Sequence, residues 1–137
     1  MTLVPGGHDC YCGRQGCAEC YCSVNSLLGD SDNLDEFRKK SAGDIGCIER
    51  WEDYLRHLSI LINNLHMVLE HTVILGGHLA PYFTDEDLSK IRHYVAERST
   101  LTMTPVYIIP GKCPGDTVAI GAALPFIKEF IDGIYLI

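Results

Sequence analysis

With 137 residues, 47% of them hydrophobic and 21% charged, the chain has enough apolar content for one globular domain with a real core. Its formal net charge of −7 excludes a nonspecific nucleic-acid binder, which needs a basic face to release counterions. No apolar run approaches the ~20 residues needed to span a bilayer, and no signal-peptide pattern opens the chain, so a cytoplasmic protein without membrane contact is expected.

Residues 1–18 read as a loop rich in glycine and cysteine. Within it, Cys10-Tyr-Cys12-Gly13-Arg-Gln-Gly16-Cys17-Ala-Glu19 packs three thiols and two glycines into eight residues. Thiolates are good zinc ligands, and the glycines let a short loop turn all three sulfurs towards one point. In a reducing compartment such clustering favours metal over disulfides. Tetrahedral zinc needs a fourth donor. His8, two residues upstream, is the first candidate; Cys20 and Cys22, on the following segment, are the others. Three thiolates plus one more donor form a closed shell with no place for an activated water, so the zinc is expected to be structural. Cys47 and Cys113 lie far from the cluster and read as small hydrophobes.

A short helix is predicted from Glu19 to Leu28, ended by Gly29, with a turn over Asp30-Ser-Asp-Asn33. Leu34, Phe37 and Ala42 mark a second short helical piece, on which Arg38-Lys39-Lys40 reads as a solvated face. Asp44 is placed to N-cap the main helix. Along that helix Ile48, Trp51, Leu55, Leu58, Ile62, Leu65 and Leu69 recur at alternating spacings of three and four, widened by Tyr54, Leu61 and Val68. So broad a stripe predicts packing into a domain core.

Thr72-Val-Ile-Leu75 is continuously apolar before Gly76-Gly77, as in a strand buried on both faces. Thr84-Asp-Glu-Asp87 resembles a capping box opening a helix that runs to Glu97. Pro105-Val-Tyr-Ile-Ile109 reads as a second strand, and 117–132 as a closing helix whose Gly121, Ala122 and Ala123 permit a neighbour's close approach. Strand, helix, strand, helix with short connectors predicts an α/β domain with at least two parallel strands. No histidine has a Ser or Cys partner at a telling spacing, and turn or cap roles explain Asp44 and Asp116, so no catalytic residue is assigned.

The run Cys-x-Cys-Gly-x-x-Gly-Cys-x-Glu resembles the signature of the ROK family of bacterial sugar kinases and sugar-responsive repressors. Met1-Thr-Leu-Val-Pro-Gly-Gly-His-Asp-Cys10 looks like the stretch that follows the family's Glu-x-x-Gly-His motif. Val73-Ile-Leu-Gly76-Gly77 and Val118-Ala-Ile-Gly121-Ala122-Ala123 match further on. The resemblance covers essentially the whole chain, but only the C-terminal half of a family member.

The resemblance implies the C-terminal lobe of an actin-like ATPase (ribonuclease H-like) fold, divided into a zinc loop over 1–18 and an α/β lobe over 19–137. It implies zinc on Cys10, Cys12 and Cys17; the family's own histidine would fall just before Met1, leaving His8 as its substitute. It further implies that Glu19 contacts sugar hydroxyls, since an ionised carboxylate is a strong acceptor, and that Gly76 and Gly77 border the nucleotide, although His78 stands where many members carry a third glycine. The implied activity is ATP- and Mg-dependent phosphorylation of a hexose or N-acetylhexosamine, with homodimerisation through this lobe. The family's catalytic aspartate and phosphate loop belong to its other half, so the chain by itself is expected to be inactive. The alternative is the sugar-sensing lobe of a transcriptional repressor, which would reach nucleic acid only through an N-terminal helix-turn-helix module.

Overall fold

The structure, a computed structural model, describes residues 1–99, 107–111 and 117–134. In chain order it comprises α1 (Glu19–Cys22), α2 (Val24–Leu28), α3 (Leu34–Lys40), α4 (Ile45–Leu69), β1 (Val73–Leu75), a 3-10 turn (Ala80–Tyr82), α5 (Asp85–Arg98), β2 (Ile108–Pro110) and α6 (Thr117–Ile134). β1 and β2 pair in parallel, Val73 opposite Ile108 and Leu75 opposite Pro110, with α5 as the crossover between them. A parallel pair cannot be joined by a tight turn, and the α5 segment supplies the length that the crossover needs. The α/β expectation with parallel strands holds.

The core forms between α4 and α5, with α3 and the strands closing its sides. Phe37, Leu55, Ile91, Val95 and Ile108 are fully buried there, and Trp51 stacks on Tyr54. Asp44 caps α4 as its sequence position predicts, its carboxylate accepting the Cys47 N–H at 3.0 Å. Thr84 and Asp87 form the reciprocal capping box of α5. Arg38 of the basic run lies over the Trp51 ring at 4.5 Å, so one of the three cations covers the core's aromatic edge.

Four expectations change. The helix predicted over 19–28 is two helices, because Ser23 adopts an extended conformation and its hydroxyl caps α2 by accepting the Ser26 N–H. Ala42 falls beyond α3 and is exposed. The apolar stripe of α4 outruns the core: Val68 and Leu69 are exposed because the core covers α4 only from Cys47 to Ile62, and Ile48, within that span, is exposed too. Ile74 is 64% exposed, so β1 is covered on one face only; among the described residues no element lies over its other side.

The second strand begins at Ile108, and residues 105 and 106 of the predicted segment lie outside the described residues, as do Cys113 and Asp116. The closing helix is present as α6, but Gly121, Ala122 and Ala123 are exposed and admit no neighbour among the described residues. Cys47 is buried, as a small hydrophobe should be. No helix of the described residues is long and apolar enough to cross a membrane.

Candidate functional site

The N-terminal loop is a folded object in its own right. The Cys10 N–H donates to the Arg14 carbonyl at 2.8 Å and the Gly13 N–H to the Cys10 carbonyl at 2.9 Å, closing a tight turn with Cys12 at its tip. Below the turn Asp9 bridges to Gln15, and Thr2 pairs with Cys17. Gly16 is the pivot. Its N–H donates to the His8 carbonyl at 2.8 Å while its own carbonyl accepts from Leu3 and Val4. At φ +72° a Cβ on Gly16 would stand 1.6 Å from the Val4 carbonyl oxygen, so no other residue lets the N-terminal strand cross here.

This backbone brings the sulfurs of Cys10, Cys12 and Cys17 within 4.8 Å of one another, with 3.6 Å between Cys12 and Cys17. Such a group could hold a metal ion. The thiols perturb one another: the bond to Cys12, then burial, pushes Cys17 up to about 11. Cys12 is lowered, first by the Arg14 backbone N–H and then by Cys10. One sulfur thus releases its proton more readily than its neighbour, as hydrogen-bonded thiol groups do.

Of the three further donors the sequence offers, none joins that convergent set, and each is placed differently. His8 donates its backbone N–H to the Tyr21 hydroxyl at 2.8 Å, and its ring lies against the Tyr21 ring, centroids 5.2 Å apart. Tyr21 in turn stacks on His57 of α4 at 4.6 Å, which fastens the loop to the lobe. Cys22 turns inward beside Tyr54 and Leu58, and burial pushes its thiol up to about 12. Cys20 points back at the loop, its sulfur 3.6 Å from the Asp9 carbonyl oxygen.

Glu19 opens α1 two residues after Cys17 and is exposed. It lines an open cleft of about 310 Å³, with His8, Asp9 and Cys10 on the loop side and Ser23 and Asn25 on the helix side. The cleft is rich in hydroxyl, amide and carboxylate groups, which suits a small polyhydroxylated ligand.

Gly76 and Gly77 sit elsewhere, at the carboxyl end of β1, where open α/β sheets place their ligands. Gly77 takes φ +74° and nothing lies within 4 Å of a Cβ built on either residue, so the turn is open on its outer side. A second cavity of about 290 Å³, lined by Tyr54, Leu58, Gly76, His78 and Phe83, adjoins it.

The sequence reading missed Tyr21 as the residue joining loop and lobe. Its signal is weak, since an aromatic in a cysteine-rich segment carries no period. It also passed over the Cys17-x-x-Cys20 spacing, which is a ligand spacing in its own right.

Loop, parallel strands and cleft together define an α/β lobe that carries a cysteine cluster at its edge. The family model described as ROK matches residues 1–129, and the chain belongs to the ROK family. Among solved structures, the crystal structure of a ROK hexokinase from Thermus thermophilus superposes with a TM-score of 0.74 at 24% sequence identity. The match covers 90% of this chain and 46% of that one, so the chain spans about half the length of the hexokinase. At that identity the likeness shows the fold. No curated protein sequence matches.

Proposed function

We propose that the chain forms the sugar- and nucleotide-facing lobe of a ROK-type sugar kinase, one that phosphorylates a hexose or N-acetylhexosamine with ATP. The observation that carries this is the position of Glu19: it leaves the cysteine loop directly and lines a polar cleft large enough for a monosaccharide. In this reading the Glu19 carboxylate accepts sugar O–H groups, and Gly76 and Gly77 leave room for the nucleotide at the end of β1. The likeness to a ROK hexokinase from Thermus thermophilus supports the fold on which this reading rests. The repressor reading would use the same cleft.

The metal in this proposal is zinc. Three thiols meeting at one point match its preference for sulfur in a closed tetrahedral site. Cys10, Cys12 and Cys17 would hold it, with His8 the fourth donor that its sequence position offers. Zinc there is structural: it stiffens the 1–18 loop and thereby fixes the direction in which α1 presents Glu19 from the 19–137 lobe. Phosphoryl transfer itself needs a general base, a phosphate cradle and Mg²⁺. We assign none of these to a residue of this chain, which is proposed to bind sugar without turning it over when alone. A second copy paired through this lobe is part of the proposal.

Calorimetric titration of the zinc-loaded chain with glucose and N-acetylglucosamine tests it. Glu19→Gln is expected to weaken binding by about tenfold while leaving the circular dichroism spectrum unchanged, as loss of hydrogen bonds to a charged group requires. Equal affinity in the two proteins would remove Glu19 from the site.

A further inference from the structure

Resting on the sugar reading above, we infer that Tyr21 is a positioning residue of the Glu19 cleft, tying its two walls together and so setting the gap in which a sugar fits. The cleft lies between two pieces of chain that the fold brings side by side. His8, Asp9 and Cys10 belong to the loop wall, Glu19, Ser23 and Asn25 to the helix wall. Tyr21 is part of the second piece, two residues after Glu19 and two before Ser23. Its hydroxyl reaches the first, accepting the His8 N–H at 2.8 Å. Tyr21 does not itself line the cleft, so its effect on a ligand passes through the walls it joins.

The local structure is built for this contact. A Cβ on Gly7, the residue before His8, would stand 2.0 Å from the Tyr21 hydroxyl oxygen and 3.0 Å from the Val4 carbonyl oxygen. The glycine lets the phenol come up against the backbone. The His8 residue is then held at both ends, since its carbonyl accepts the Gly16 N–H at 2.8 Å. One of these bonds is internal to the loop; the other comes from the helix wall. The Tyr21 ring is fixed in turn. It stacks on His57 with centroids 4.6 Å apart, and His57 is held on α4 with its Nδ1 2.9 Å from the Asp53 carbonyl oxygen. α4 carries one side of the core, so the contacts run unbroken from the centre of the lobe to the loop wall.

The consequence is preorganisation. A loop wall free to move must be ordered when a ligand binds, and that ordering lowers affinity. The Tyr21 hydroxyl orders it beforehand, so a sugar held by the Glu19 carboxylate meets an opposite wall already in place.

Calorimetric titration of the zinc-loaded 137-residue chain with glucose and N-acetylglucosamine tests this through Tyr21→Phe, which keeps the ring on His57 and removes only the hydroxyl. Sugar affinity is expected to fall by about three- to tenfold, the loss expected for one neutral hydrogen bond, with bound zinc and the circular dichroism spectrum unchanged. Gly7→Ala, which crowds the same hydroxyl from the other side, should have the same effect. A tyrosine with a merely structural role would act independently of Glu19, whereas one that presents the opposite wall would not. The double variant Tyr21→Phe with Glu19→Gln should therefore bind about as weakly as Glu19→Gln alone. Unchanged affinity in Tyr21→Phe, or a double variant whose loss is the product of the two single losses, overturns the inference and leaves the Glu19 reading standing. Sugar affinity lost together with bound zinc also overturns it, because Tyr21 would then support the metal loop and not the cleft. A wild type that binds neither sugar overturns the sugar reading, and this inference with it.

Discussion

The indole N–H of Trp51 donates to the Asp87 carboxylate at 2.8 Å, joining the middle of α4 to the first turn of α5 inside the core. Asp87 is 6% exposed, and its second oxygen accepts the Thr84 backbone N–H and hydroxyl, so one carboxylate both caps α5 and anchors it to α4. Asp87→Ala would leave the Trp51 N–H buried without an acceptor and open the capping box. A loss of about 2–4 kcal/mol is expected in urea denaturation. A loss under half a kcal/mol would show that water replaces the carboxylate.

Cys12 stands at the tip of the loop, 3.6 Å from the Cys17 sulfur. Removing a ligand from a metal site that orders its own loop lowers metal content and stability together. Cys12→Ser should therefore show less bound zinc by mass spectrometry of the native protein and a lower melting temperature. Chelator treatment of the wild type should reproduce the same melting shift. Undiminished metal in Cys12→Ser would rule out Cys12 as a ligand.

Acid should weaken the α4–α5 pairing. Burial of Glu52 resists its ionisation, but the Tyr94 hydroxyl and the Lys90 ammonium outweigh that and hold the carboxyl below its ordinary 4.5. Glu36 is lowered as well, by Lys40 first and then by the Asp32 backbone N–H. A carboxyl whose folded value is depressed contributes stability above its unfolded value, and that contribution disappears as pH falls through the folded one. The denaturation midpoint should hold between pH 7 and 5 and drop below about 4.5. Glu52→Gln should start lower and fall less steeply; parallel curves for variant and wild type would exclude Glu52.

The chain should self-associate. Along α6, Ile120, Leu124, Ile127 and Ile131 form one apolar line, flanked by Phe126 and Phe130 at 74% and 71% exposure. So much uncovered apolar surface on one helix favours pairing with a second copy. Sedimentation velocity should show the average mass rising with concentration, and replacing Phe126 and Phe130 by serine should suppress the rise. A clean monomer at tens of micromolar would count against pairing through this face.

What the sequence settled by itself was local. Caps could be read at Asp44 and Thr84 because a side-chain oxygen reaching a nearby N–H needs only a few residues of chain. The span of α4 followed from its period, and the metal-binding potential of the loop from the density of thiols. The tertiary structure decided everything that depends on which surfaces meet. Periodicity marks an apolar stripe but not its cover, so Val68, Leu69 and Ile74 read as core and are exposed. Spacing along the chain put His8 first as the fourth donor, with Cys20 and Cys22 as alternatives. The fold separated them, turning His8 onto Tyr21, Cys22 into the core and Cys20 towards the loop, because backbone hydrogen bonds among residues distant in sequence set the direction of each side chain.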